Sequence, residues 1–436
     1  MQTKQDNIGL VWFRNDLRTQ DQAALKQALE NHTSILALYC FDPRHFEDTI
    51  FGFKKTEKYR AKFLIETVQN LKKGLKDLNI ELFVFYDRPE IKIPDLIKSY
   101  NIKGIYAQKE WTQEEKAVED ALVSNVGESV KLLTYYDQFL FHPDDIPLAF
   151  SQIPQVFTVF RKKLEKEASV RPEQITKATE AISDIRNDTE IPSLEDLGFE
   201  SFETHPNSAF PFQGGEEAAE KRLQNYFFKT KKLGVYKKTR NGLVGTNYSS
   251  KFSAWLANGS ISPRHIYWQI KAFEKEHFKN QSTYWLIFEL IWRDYFKYIS
   301  LKHGDTIFYL GGILNKNYSW RTNESDIKAW IEGRTSSDFV NANMIELAET
   351  GWMSNRGRQN VASYFAKDLE LDWRIGAAYF ESLLMDYDVH SNYGNWMYVS
   401  GVGNDPRDRK FNVKLQAERY DPQGKFQNLW LQKTLF

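Results

Sequence analysis

A single glutamate interrupts an otherwise apolar run, Trp285-Leu-Ile-Phe-Glu289-Leu-Ile-Trp292, and Arg293 follows it. On a helix, spacings of three, four and seven put Trp292, Arg293 and Phe296 on the same face as Glu289. A carboxylate buried alone is strongly unfavourable, so Glu289 must be paired with Arg293, protonated, or held for a ligand. A structural ion pair meets that requirement. So does a flat hydrogen-bonding ligand, such as a nucleobase stacked on Trp292. A second group runs from Tyr236 to Ser249-Ser250-Lys251-Phe252-Ser253, where small and hydroxylated residues bunch before a helical run. Such a segment offers backbone N–H groups to a pyrophosphate, and a plain helix cap uses the same residues. Two further clusters are Ser354-Asn355-Arg356-Gly-Arg358-Gln359 and Asp386-Tyr-Asp388-Val-His-Ser-Asn392 with Trp396 beyond. Ser354 can cap a helix presenting Asn355 and Gln359 on one face, while Asp386 offers a counter-charge to Arg358. Core ion pairs are one account of so many polar groups; a polar pocket cut into a helix bundle is the other.

The elements that must position these groups fall into two regions. In the first third, apolar runs at Ile8 to Phe13, Ile35 to Phe41, Glu81 to Tyr86, Ile102 to Ala107 and Val130 to Tyr135 alternate with helical patterns. That rhythm predicts a doubly wound α/β domain over residues 1–136, with a parallel five-stranded sheet. Arg14-Asn15-Asp16-Leu17-Arg18 follows the first strand where a dinucleotide fold would carry glycines. Seven of the 13 prolines lie between Pro143 and Pro211, which marks residues 137–215 as a long surface connector. Residues 216–436 hold ten of the 12 tryptophans and read as an all-helical domain, with Ser262 and Pro263 opening one helix. Nine lysines and arginines without an acid between Lys221 and Lys251 suit either a polyanion or a solvated helix face.

Composition narrows the class. The 436 residues carry 58 basic and 58 acidic side chains, 42% apolar residues and 65 aromatics. This predicts a soluble globular protein without a membrane span or secretory signal, placed in the cytoplasm. The lone Cys40 excludes a disulfide scaffold, a cysteine-zinc module and an iron-sulfur enzyme.

Together the segments TRNGLVGTNYSSKFSAWL, STYWLIFELIWRDYF, TGWMSNRGRQ, LDWR and DYDVHSNYGNWMYVSGVGNDPR, with VWFRNDLR and AQKEW near the amino terminus, resemble the photolyase/cryptochrome superfamily, closely its DASH type. The resemblance spans essentially the whole chain. It implies FAD in the helical domain, with its pyrophosphate at Ser249, Ser250, Lys251, Phe252 and Ser253, and with Tyr236 and Arg293 nearby. Arg358 and Asp386 would flank the isoalloxazine, Asp388 would lie close, and Asn392 would face the central-ring nitrogen. Trp320, Trp373 and Trp396 fall on the family's electron-hopping chain. Glu289, Trp292, Asn355, Arg356, Gln359, Tyr398 and Gln416 fall on its lesion pocket, and Glu110 on the site of a folate antenna, 5,10-methenyltetrahydrofolate.

The activity this implies is light-driven splitting of cyclobutane pyrimidine dimers by electron transfer from reduced flavin. Gln359 and Tyr398 replace the methionine and tryptophan of relatives active on duplex DNA, so the expected substrate is a dimer in single-stranded DNA, with RNA a further candidate partner and the protein a monomer. The alternative is a blue-light receptor that binds nucleic acid without repair; a third reading, a helical binder without cofactor, would be colourless. At Ser336 to Asn341 the sequence departs from the DASH pattern, which bears on hydrogen bonds near the flavin.

Overall fold

The computed structural model describes residues 7–127, 130–178 and 185–431. Five strands, β1 (Ile8–Trp12), β2 (Ser34–Cys40), β3 (Glu81–Phe85), β4 (Gly104–Gln108) and β5 (Lys131–Tyr135), form one sheet in the order β3-β2-β1-β4-β5. Every neighbouring pair is parallel, with Leu10 of β1 opposite Leu36 on one side and Ile105 on the other. Strands β1, β2 and β4 are buried along their whole length, the state of a parallel sheet covered on both faces. Helices α1 (Ala23–Asn31) and α2 (Lys58–Lys76) cover one face with Leu25, Val68 and Leu71; α3 (Pro89–Tyr100) and α4 (Gln113–Val126) cover the other with Ile93, Leu96 and Leu122. The doubly wound fold read from the apolar rhythm is the one observed.

The connector departs from the surface path expected of it. Its proline-rich backbone carries α5 (Phe157–Glu167), and Phe139, Phe141, Ile153, Phe157, Phe160 and Leu164 are buried in the core of the helical domain. Further on, Leu197 and Phe199 pack into the sheet domain. Prolines ended regular structure here without moving the aromatic side chains into water, because each buried ring retains its hydrophobic gain.

The helical region carries α6 (Glu216–Gln224), α7 (Tyr236–Thr239), α8 (Ser253–Ala257), α9 (Pro263–Glu276), α10 (Gln281–His303), α11 (Glu324–Ile331), α12 (Asp338–Thr350), α13 (Asn355–Ser363), α14 (Trp373–Leu383), α15 (Val389–Ser400) and α16 (Val413–Tyr420). As read from sequence, Ser262 caps α9 by accepting from the amides of Arg264 and His265, and Ser354 caps α13 by accepting from Gly357 N at 3.0 Å.

The two domains are joined by a buried charge network. Asp137 binds Arg18 at 2.5 Å and Arg264 at 2.7 Å, while Arg264 also reaches Asp21 at 2.8 Å. Beside it the backbone of Asn15 and Asp16 lies against Gly259, where a Cβ would meet Asn15 O at 2.1 Å and where φ is +74°. The segment after β1 that lacks a glycine-rich loop is therefore a domain tie. His265 instead ties the connector to the helical domain, its Nδ1 and Nε2 meeting Glu173 at 2.5 Å and Glu220 at 2.9 Å. Burial alone would lower this imidazole, but the two carboxylates prevail and raise it to about 9. Its charged form therefore stabilises the fold fully below about pH 6.5, and that contribution is lost as pH rises toward 9. With partial solvent screening the loss is about 1–2 kcal/mol. Thermal melts should show this decline in the wild type and not in His265→Gln.

Candidate functional site

Helix α10 carries Glu289, Trp292 and Arg293 on one face as predicted, but Glu289 and Arg293 do not pair. Arg293 donates to the carbonyls of Gln138 (2.5 Å) and Leu256 (2.9 Å), chain segments that converge on α10 only in the fold. Glu289 instead meets Arg240, 2.8 Å away at the end of α7. Burial raises its carboxyl, with Arg240 and Trp285 opposing. Tyr236, expected by the pyrophosphate loop, is buried among the charges of Glu289 and Arg240, and its phenol is held protonated by burial first and by Glu289 second.

Trp292 is a half-buried ledge with one face already taken. Phe157 stacks on it at 3.6 Å, and Tyr398 meets its edge at 6.1 Å. On α13, Asn355 is exposed and Gln359 lies one turn further, its amide oxygen buried without a donor. Arg356 is held by Asn241 (3.1 Å), by Gln416 (3.5 Å) and over the Tyr420 ring (4.5 Å). The Tyr398 hydroxyl accepts from Arg409 at 2.9 Å. Of these polar residues Tyr398 is the one in ring contact with Trp292, and Asn241, the partner of Arg356, follows Arg240, the partner of Glu289, in the chain.

Deeper in, Arg358 donates to both oxygens of Asp386 at 2.9 Å and sits over Trp352 at 5.5 Å. Asp388 caps α15 by accepting from Ser391 N and receives Lys297 at 2.7 Å. Burial works against its charge, yet Lys297, His390 and Arg293 hold the carboxyl well below the usual range. The Asn392 amide donates to Ala377 O at 3.0 Å, which leaves its oxygen for a ligand. Trp396, just over one turn further along α15, is buried, and its indole N–H has no acceptor. Its ring presses on α14 at Gly376, where a Cβ would meet it at 2.2 Å. Trp373 is fully buried and donates to Leu310 O at 3.0 Å, and Trp320 packs half-buried at the edge of the same core.

The basic stretch is not one surface. Arg222 and Lys251 are turned inward. Arg222 donates to the carbonyls of Thr246 (3.1 Å), Ser249 (3.0 Å) and Ser250 (3.0 Å), clamping the acceptor side of the loop, and α8 then starts at Ser253 without a side-chain cap. Amides in the first turn of a helix have no intrahelical partner. Lys251 Nζ is buried with no hydrogen-bond acceptor. An unpaired buried ammonium next to free amides fits an anionic cofactor group, so the loop suits the FAD pyrophosphate. Ser250 and Phe252 are buried, and Ser249 is half-buried, whereas Ser253 is exposed.

On the sheet side, Glu110 is buried and accepts from Gln108 at 2.8 Å; burial raises its carboxyl while Arg14 and Lys297 lower it. Next to it Trp111 stacks on His390 at 4.5 Å, and Ser300 joins Trp111 and His390 at 2.8 Å each. The segment Ser336–Asn341 is not a loop throughout: Asp338 to Asn341 form the first turn of α12, Asn341 binds Thr335, and Ser336 to Phe339 line a separate groove of about 700 Å³ with Tyr364, Lys410 and Lys414. Sequence reasoning passed over Trp352 and Lys297 as site residues. Lys297 follows Glu289 and Arg293 at spacings of eight and four, the signal that would have found it.

A parallel-sheet domain tied to a helical domain with an FAD cradle defines a photolyase-type flavoprotein. Residues 9–180 match the DNA photolyase family, and residues 285–434 match the FAD binding domain of DNA photolyase. The chain is 46% identical over 424 residues to Cryptochrome DASH of Gloeobacter violaceus, covering 97% of this chain and 85% of that one. Against Cryptochrome DASH of Xenopus laevis it is 47% identical over 427 residues, covering 96% and 81%. The solved structure of the Synechocystis cryptochrome superposes with a TM-score of 0.94 at 46% identity, over 98% of this chain and 89% of that chain. The chain belongs to the photolyase/cryptochrome family, on its DASH branch, and is an FAD-dependent protein of that blue-light class. Among the described residues no helix is long and apolar enough to cross a membrane.

Proposed function

We propose that the protein repairs cyclobutane pyrimidine dimers under blue light and prefers them in single-stranded DNA. The observation that carries this reading is the carboxyl of Glu289, with burial raising it, fixed by Arg240 beside the Trp292 ledge. As a neutral acid it can donate a hydrogen bond to a pyrimidine carbonyl, and Arg240 holds it in place while it does so. FAD held by Ser249 to Ser253, Arg358 and Asp386 would supply the light-driven one-electron chemistry that such a ring opening needs. Trp292 would support the bases, Asn355 and Arg356 would orient the strand, and Asn392, whose N–H is taken by Ala377 O, would have its amide oxygen left for the cofactor. Gln359 and Tyr398 make a polar wall that gives little apolar contact to offset the few kcal/mol, roughly, of pulling a base pair out of a duplex. An unpaired strand avoids that cost. A folate antenna at Glu110 belongs to the same reading, supported by the buried acceptor atoms Gln108 Oε1 and Glu115 Oε2, which await donors such as pterin N–H groups.

The purified protein should absorb as a flavoprotein, and illumination after reduction should restore thymines faster in a single-stranded oligonucleotide than in the matching duplex. Equal rates on the two would remove the strand preference. A protein with no restored thymines and an intact flavin photocycle would favour the receptor alternative. Trp396→Phe should reduce flavin photoreduction to a small fraction of wild type, read as slower bleaching of the oxidised-flavin band, while repair by chemically reduced protein continues.

A further inference from the structure

Two buried ionisable groups at the Ser249–Ser253 loop, Lys251 and Glu346, feel each other's charge, and Lys251 Nζ and Glu346 Oε2 have no hydrogen-bond partner. Lys251 has a left-handed backbone, φ +69°, which turns its side chain inward over the Tyr248 ring at 3.4 Å and the Trp352 ring at 4.6 Å. Glu346, on α12, is 1% exposed, and its Oε2 has no donor. One turn earlier on α12, Asn343 also buries an amide oxygen without a donor. Lys251 and Glu346 each feel the other's charge; the further groups facing them are Arg222, Arg358, Asp386 and the Tyr248 hydroxyl. Opposite charges in a dry space that do not close into an ion pair keep much of their desolvation cost. The cost disappears when one group is neutral and a ligand answers the other.

We propose that Glu346 is a cofactor-binding residue that stays a neutral acid while Lys251 gives its charge to the FAD diphosphate, and that ionisation of Glu346 releases the cofactor. The inference rests on the FAD reading of the loop. Burial pushes the Glu346 carboxyl up to about 8, against the pull of Lys251 and Arg358. Below that pH its O–H is a donor to an anionic or carbonyl oxygen. Above it, a carboxylate adds a further negative charge beside the diphosphate and draws the Lys251 ammonium to itself. Burial pushes the Lys251 ammonium well down, with Glu346 opposing, so a bound anion is what keeps its proton in place.

The test follows release of FAD from the holoprotein by its fluorescence between pH 6.5 and 9.5, with circular dichroism at each pH to exclude unfolding. Wild type should hold FAD below pH 8 and release it faster above, by about tenfold per pH unit as expected for one proton. Glu346→Gln, neutral at every pH, should hold FAD at pH 9 as it does at pH 7. Lys251→Met should release it faster across the whole range. A wild-type profile without pH dependence overturns the proposal, even if the glutamine variant does not accumulate. So does a glutamine variant with the wild-type profile. Protein without flavin at pH 7 would instead overturn the FAD reading itself, so the two failures are distinct.

Discussion

Glu289→Ala should lower dimer repair by about 10²-fold or more, the scale on which a single pre-positioned polar group acts at a charge-developing centre. Flavin photoreduction and the flavin spectrum should stay as in wild type, because Glu289 faces Arg240 and the Trp292 ledge and the three tryptophans lie in a different core. Glu289→Gln separates two roles of the carboxyl. An amide keeps a donor for the pyrimidine carbonyl but loses the ion pair with Arg240, so it should retain part of the activity. Its repair should also lose any pH dependence that titration of Glu289 imposes. A wild-type repair rate in Glu289→Ala would mean that the dimer is held elsewhere.

The second large effect is on stability. Asp137→Ala leaves Arg18 and Arg264 buried at 2% and 1% exposure without their shared partner. Removing one member of a buried ion network costs about 3–5 kcal/mol, mostly from the charges left behind. Asp137 and Asp21 are brought together by residues from both domains, so the loss should appear as loosened docking as well as a lower melting temperature. Burial would raise the Asp137 carboxyl, yet Arg264 and Arg18 hold it below the ordinary value. Its stabilising share is therefore present above about pH 4 and lost as pH falls through the lowered value. Chemical denaturation at pH 7 gives the difference between the variants directly; a change below about 1 kcal/mol would contradict the network's role.

What could be read from sequence was what local chemistry determines. Strands β1, β2 and β4 appear as apolar runs because a sheet covered on both faces buries every residue of its inner strands, so no alternation is needed to see them, whereas the edge strand β5 leaves Lys131 and Leu133 exposed. Caps Ser262 and Ser354 were visible because they act within three residues. Arg358 and Asp386 could be offered as charge and counter-charge across 28 positions because each belongs to a polar cluster set in an otherwise apolar helical region. What stayed hidden was the choice among partners. Arg293 was the helical neighbour of Glu289, but the carbonyls of Gln138 and Leu256 had no other donor and claimed it, which left Glu289 to Arg240. Arg222 looked like part of a basic surface, yet the loop from Thr246 to Ser250 needed its carbonyls satisfied, and one inward guanidinium meets three of them. Asp137 could not be paired with Arg264 because those residues lie 127 positions apart, and only the folded interface makes them neighbours. In the connector, prolines spoke of the backbone and said nothing of Phe157, which became the floor under Trp292.

The most direct measurement is the yield of restored thymine when the reduced holoprotein is illuminated with a single-stranded oligonucleotide bearing one thymine dimer. Repeated turnovers per protein are predicted for wild type. No restored thymine from a protein whose flavin is bound, reduced and photoactive would contradict the assignment of the Glu289 and Trp292 cleft as a repair site.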